Sequence, residues 1–312
     1  MQPGPPGLHV FRDPHSTEPA DYMTTSHDTD LIVIDGVSHT FDTNSGRLQV
    51  LDKLTLGVPE NGFSAIVGPS GCGKSTVTRL VAGLLKPDEG TVWLQGKKVT
   101  SPRATVGMAF QNPVLLEWHS ILRNVMLPLE IVPNDLSPSA REARARDLLK
   151  LVGLAGFEDK RPSELSGGMR QRASLCRALV HRPEVLILDE PFGALDAFTR
   201  EDLWLTMHRL REEEPFTGVL ITHDLREAIF LADEVIVLSG RPATMQYSQT
   251  LPQRGPRSLE QLYTPEATDM LNILREQIKI ARQGEEPGAR DRSLFRSLPS
   301  SSSCCSGKRS SG

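Results

Sequence analysis

One stretch, Gly68-Pro69-Ser70-Gly71-Cys72-Gly73-Lys74-Ser75-Thr76, restricts this chain more than any other part of it. It fits the pattern G-x-x-x-x-G-K-[ST] and stands where the short apolar run Phe63–Val67 meets a helical period. That period is Val77, Leu80, Val81 and Leu84, and Pro87 ends it. The spacing has a physical reason. Glycines let the backbone curl until successive N–H groups converge on phosphate oxygens, and the following helix adds the positive end of its dipole. Lys74 is then placed to reach the β- and γ-phosphates, and the Ser75 hydroxyl to ligate Mg²⁺. The competing explanation is a glycine turn that holds a lysine by accident. Average residue usage gives such a match a chance on the order of 1% in a chain this long, and the strand-to-helix setting lowers it further.

The rest of the chain reads as α/β. Leu31–Ser38 and Leu48–Val58 alternate as strands, antiparallel because little separates them. Thr105–Ala109, Val185–Leu188, Val219–Ile221 and Val235–Leu238 are short apolar runs suited to strands buried on both faces of a parallel sheet. Between Asn112 and Glu164 the strand pattern gives way to two helical ones, Ser120–Ile131 and Ser139–Val152, the second stopped by Gly153. This predicts a helical insert over about 112–180, closed by a helix from Met169 to about Val180. Thr264 and Pro265 are the expected N-cap and first residue of an amphipathic helix carrying Ala267, Met270, Leu271, Leu274 and Ile278. The expected organisation is a flexible extension over 1–30, a main domain over 31–255, a helical extension over 256–284 and a disordered Ser-rich tail over 285–312.

Composition narrows the function. Hydrophobic residues make up 38% and there are 25 glycines, enough apolar material for a full core. Lys plus Arg number 35 against 39 acids, a net charge of −4, which does not suit a chain that coats nucleic acid or anionic lipid. No stretch approaches the roughly 18 uninterrupted apolar residues of a membrane span. The first 22 residues hold five prolines and no apolar core, so a secretory signal is not expected. Cys304 and Cys305 are adjacent, do not stand at a C-terminal prenylation position, and with Cys72 and Cys176 make no disulfide framework. The expectation is a soluble protein of a reducing compartment.

Two further motifs bear on chemistry. Val185–Leu188 runs into Asp189-Glu190-Pro191. Asp189 at the strand tip is positioned to hold the metal, and Glu190 to polarise an attacking water. Strands often end in a surface acid, but a second carboxylate beside a metal ligand favours hydrolysis over mere binding. Leu165-Ser166-Gly167-Gly168-Met169-Arg170-Gln171-Arg172 is a second glycine turn opening a helix. Taken alone it is a Ser N-cap with a tight turn. One nucleotide has no need of two such cradles in one subunit, so the economical explanation is that Ser166, Gly167 and Gly168 grip the γ-phosphate of an ATP held by another copy.

The series of motifs resembles the nucleotide-binding subunit of an ATP-binding-cassette (ABC) transporter. The P-loop is followed by Gln111, then Leu165-Ser166-Gly167-Gly168, the Asp189-Glu190 acids, Gly193-Ala194-Leu195-Asp196 and Thr222-His223-Asp224, in the family's order and at its usual distances, over about Leu31 to Leu251. The resemblance implies a P-loop cassette with a mostly parallel core sheet, an N-terminal antiparallel β subdomain and an inserted α-helical subdomain. It implies that ATP and Mg²⁺ are bound and ATP is hydrolysed. It places Phe41 where the family stacks an aromatic, more often Tyr, on adenine. Gln111 resembles the residue that joins the Mg²⁺ shell and links sheet to helical insert. Asp196 resembles the residue that couples the two sites, and His223 the switch histidine that touches the γ-phosphate. Cys72 is a bystander whose backbone does the binding.

Two segments are similar to the nitrate/sulfonate/taurine-type importers and their relatives for pyrimidine-like precursors: Asp189–Arg200 and Asn112–Trp118 with Asn124-Val125. In those relatives a Pro usually precedes the Trp and an Arg often follows it, whereas here Glu117 and His119 stand. This segment resembles the surface that receives a membrane subunit; the alternative for Trp118 is a partly buried anchor of the helical insert. The resemblance implies a homodimer at the cytoplasmic face of the membrane, working with separate integral permease subunits and, indirectly, an extracytoplasmic solute-binding protein, without nucleic acid. The rival expectation is a soluble, non-transport ABC ATPase acting on ribosomes or DNA. One cassette, no sustained heptads and a negative charge speak against it.

Overall fold

The computed structural model describes residues 30–44, 46–193, 195–251 and 258–283. The expected flexible extension (save Asp30), the Ser-rich tail with Cys304 and Cys305, and the boundary near 255 lie outside the described residues.

Two sheets form the body. β1 (Asp30–Thr43) and β2 (Gly46–Pro59) pair antiparallel, with Ile34 opposite Leu56 and Val37 opposite Leu54. β4 (Glu89–Leu94) pairs with the other side of β1, and β5 (Lys97–Lys98) completes the order β2-β1-β4-β5. Sequence periodicity had indicated neither β4 nor β5. Their turn is Gln95-Gly96, both residues at positive φ (54° and 66°), as a two-residue hairpin requires.

The second sheet has six strands in the order β10-β9-β3-β8-β7-β6. These are β3 (Phe63–Val67), β6 (Val106–Ala109), β7 (Val185–Asp189), β8 (Thr217–Ile221), β9 (Glu234–Leu238) and β10 (Met245–Thr250). All pair parallel except β10, which runs antiparallel along β9. Every residue of β3, β7 and β8 is buried, which is why these strands read as unbroken apolar runs. Alternate side chains serve two cores. Ile66, Ile187, Val219 and Ile236 pack towards the antiparallel sheet and α1 (Lys74–Val81). Ala65, Leu186, Leu188, Leu220 and Val235 pack towards the helices of the other face.

Those helices are α2 (Ile121–Ile131), α3 (Pro138–Leu151), α4 (Gly167–Leu179), α5 (Ala197–Glu213), α6 (Leu225–Leu231) and α7 (Pro265–Gln283). α2 to α4 make up the helical insert. Ser120 caps α2 by accepting from Arg123 N, and Ser137 caps α3, with Pro138 as its first residue. The Thr264 hydroxyl accepts from Ala267 N at 3.3 Å, as expected of an N-cap. Leu271, Leu274 and Ala281 of α7 are buried, Leu274 within the same core as α6 and β9.

Candidate active site

Four neighbouring parallel strands, β3, β8, β7 and β6, bring their C-terminal ends together, where ligands of such sheets bind. After β3 the chain curls through Gly68, Gly71 and Gly73 at φ of 155°, 77° and 121°. Gly73 has a second constraint: a Cβ there would lie 2.7 Å from Val50 Cγ1. α1 begins at Lys74, and Gly73, Lys74, Ser75 and Thr76 all line the cleft, so the positive end of this helix faces it. Lys74 Nζ donates to the carbonyls of Gly68 (3.0 Å) and Pro69 (2.8 Å), an ammonium held folded over its own loop. Cys72 is fully buried beneath the loop.

A cleft of about 650 Å³ joins this loop to the sequence-predicted residues. Phe41, Val50, Ser70, Gly71, Gly73, Lys74, Ser75, Thr76, Gln111, Glu190 and His223 all line it. Phe41 stands at its edge on β1, with the His39 ring meeting it edge-on at 4.7 Å. Ser75 Oγ donates to Asp189 Oδ1 at 3.1 Å. Burial pushes the Asp189 carboxyl above its ordinary range, against the Ser75 hydrogen bond. Glu190 has φ of 47°, a left-handed conformation uncommon for residues other than glycine. Its backbone N–H bonds to Ile221 O at 2.9 Å, and its Oε2 accepts from Gln111 Nε2 at 3.0 Å. His223 Nδ1 lies 3.4 Å from the same oxygen. One carboxylate oxygen thus meets side chains from the ends of β6 and β8.

The Gln111 loop is held on both sides by α4. Gln171 Nε2 donates to Phe110 O at 3.0 Å, and Arg177 Nη1 donates to Val114 O.

The donors suit Mg²⁺. Ser75, Asp189 and Gln111 offer hard oxygens, and among the described residues no group of three or more His, Cys, Asp or Glu forms a preassembled cage. Mg²⁺ characteristically takes few protein ligands and completes its shell with water and phosphate.

Ser166, Gly167 and Gly168 do not line this cleft. Ser166 caps α4 through Met169 N (3.3 Å), and a Cβ on Gly167 would meet nothing within 4 Å. Asp196 is likewise outside the cleft. It is exposed and caps α5 through Thr199 N at 3.0 Å, and hydrogen bonds from the Thr199 side chain and backbone hold its carboxyl below the usual range. Trp118 is 70% exposed, against the alternative of a partly buried anchor of the helical insert. Its loop is fixed by the fully buried Asn124, whose side chain bonds Leu116 N and the carbonyls of Leu116, His119 and Ser120. Sequence reasoning had missed Val50 and the buried Glu227 behind Thr222. No sequence signal marks Glu227 as buried, because the spacing Asp224-x-x-Glu227 is also that of a helix cap and its partner.

Comparisons agree with this geometry. The family model described as ABC transporter matches residues 51–193. The bicarbonate transport ATP-binding protein CmpD of Synechocystis is 40% identical, over 78% of this chain and 86% of that protein. The nitrate import ATP-binding protein NrtD of Synechococcus elongatus is 42% identical, over 74% and 85%. Among solved structures, the dimeric post-hydrolysis state of the ATP-binding cassette MJ0796 with ADP and Pi superposes with a TM-score of 0.65 at 31% identity. It covers 72% of this chain and 99% of that one. With its phosphate loop, paired acids and second glycine turn set on that fold, the chain belongs to the ABC transporter ATP-binding proteins, a family of ATP-hydrolysing cassettes.

Proposed function

We propose that this chain is the ATPase subunit of an importer for a small solute of the nitrate, sulfonate or taurine kind, working as a homodimer against separate permease subunits at the cytoplasmic face of the membrane. Relatives named for nitrate, bicarbonate and taurine transport support the solute class. No described helix is long and apolar enough to cross a membrane. The observation that carries the reading is the separation of two anion-receptive helix starts. The start of α1 lies in the cleft with Glu190, whereas the Ser166–Gly168 turn lies outside it and is open to a second copy.

In this reading the loop from Gly68 to Thr76 cradles the phosphates, and Phe41 stacks on the base. Lys74 exchanges its two carbonyl partners for phosphate oxygens. Ser75, Asp189 and Gln111 would hold Mg²⁺, which when bound would offset the negative charge of the phosphates. Glu190 takes a proton from the attacking water as the new P–O bond forms and the bond to the bridging oxygen breaks. His223 and the partner copy's Ser166–Gly168 turn steady the γ-phosphate, and Asp196 links the two sites. Loss of that phosphate removes what holds the copies together, and the exposed Trp118 loop passes the motion to the permease.

Glu190→Gln tests this directly. It keeps the Gln111 contact but not the base, so MgATP binding persists, turnover falls by about 100-fold or more, and an ATP-bound dimer accumulates in size-exclusion chromatography. Turnover at the normal rate, or a chain that stays single under saturating MgATP, overturns the reading.

A further inference from the structure

Behind His223 lies a carboxyl that the hydrolytic site, as described above, does not use. Glu227, in the first turn of α6, is 3% exposed. Its Oε2 accepts from Thr222 Oγ1 at 3.1 Å, and its Oε1 is buried with no hydrogen-bond partner. Thr222 Oγ1 also accepts from Asp224 N at 2.9 Å. The turn Thr222-His223-Asp224 is thus anchored to Glu227 on its inner side, while the exposed imidazole on its outer side faces Glu190.

We propose that Glu227 is a positioning residue for ATP hydrolysis: from beneath, it holds the Thr222–His223 turn so that His223 stays against Glu190. The proposal rests on the reading of Glu190 and His223 given above. An orphaned oxygen costs far less on a neutral acid than on a carboxylate, and the surroundings favour the neutral form. Burial pushes the carboxyl up to about 8, opposed by the Thr222 hydrogen bond and by Arg200 of α5, and aided by Asp224 and Glu190. β3, α7 and the Leu259–Tyr263 segment, also packed on α6, supply none of these charges. Above that pH a buried carboxylate forms beside Asp224 and Glu190, and like-charge repulsion works against the placement of the turn that carries His223.

The test is the pH dependence of kcat and KM for ATP, from pH 6.5 to 9.5, in the purified full-length chain. Wild-type kcat is expected to fall several-fold as pH rises through about 8, with KM within about two-fold. E227A lowers kcat about ten-fold at neutral pH. E227Q, neutral at every pH and able to accept from Thr222, rescues that loss and abolishes the alkaline fall. T222V, which leaves Glu227 in place but removes the hydroxyl, lowers kcat as E227A does and supplies the same evidence should E227A not fold. The same alkaline fall in E227Q, or wild-type kcat in T222V, overturns the proposal. E190Q measured in parallel separates the two ideas: normal turnover there defeats the reading of the site itself, whereas loss of turnover there with an unaltered E227Q profile defeats only the role of Glu227.

Discussion

Gly167→Glu should move stability and activity in opposite directions. Gly167 is the first residue of α4, after the Ser166 cap, and a Cβ there would meet nothing of its own subunit within 4 Å. Replacing a helical glycine at an unstrained φ contributes about 0.5–1 kcal/mol. A carboxylate in the first turn adds about 0.3–1 kcal/mol through the helix dipole. The sum is roughly 1–2 kcal/mol, which raises Tm by about 2–8 °C for a domain of this size. Yet if this helix start receives the γ-phosphate of a second copy's ATP, the new carboxylate sits where a highly charged anion must come. Turnover and nucleotide-driven dimerisation should then fall by about 100-fold or more, with ATP affinity of the single chain unchanged. Differential scanning calorimetry without nucleotide reads the first effect. ATPase assays and light scattering with MgATP read the second. A more stable protein that still hydrolyses ATP normally would refute a phosphate-facing role for the turn. A fall in Tm would refute the helix argument.

Gly107→Ala perturbs the opposite end of α4. Its Cβ would lie 2.2 Å from Ala178 O and 2.9 Å from Pro183 Cγ, so α4 must shift from β6 by roughly 1 Å. The expected cost is about 1–3 kcal/mol, read as a lowered Tm, and kcat should drop because α4 also holds the Gln111 loop. Phe41→Ala removes the stacking face from the cleft edge. KM for ATP should rise about 5- to 100-fold with little change in kcat, the value of one base–aromatic stack. Glu227→Gln alters the pH dependence of stability. The folded carboxyl titrates near 8 against 4.5 ordinarily, so the native state keeps a proton that the unfolded chain releases. Wild-type stability therefore declines relative to the Gln variant as pH rises from about 4.5 to 8, by up to roughly 5 kcal/mol, and the difference levels off above that. Urea unfolding at pH 5.5 and 8.5 measures it; parallel curves for the two proteins would contradict the burial argument.

The parts of the site legible in the sequence are those built from contiguous residues. Gly68 to Thr76 must be one segment because successive N–H groups have to converge, and β3, β7 and β8 are visible because burial on both faces leaves no polar alternation. β10 shows no such run because Met-Gln-Tyr-Ser-Gln-Thr is a half-exposed edge strand, and β5 is two lysines set by the turn before it. Relations between distant segments could not be read at all. No spacing rule tells that Lys74 closes on the Gly68 and Pro69 carbonyls, or that Val50 stands over Gly73.

Glu227 shows why such relations stay hidden. Asp224 does cap α6, accepting from Arg226 N at 2.9 Å. A capping-box acid three residues later would reach back to the backbone of its own cap. Here the carboxyl goes to Thr222 Oγ1 instead, and the helix buries it. The same four letters thus describe an exposed, ionised cap and a buried, neutral strut. Only the placement of α6 against β3, α5 and α7 decides between them, because that packing removes the water on which the ionised form depends.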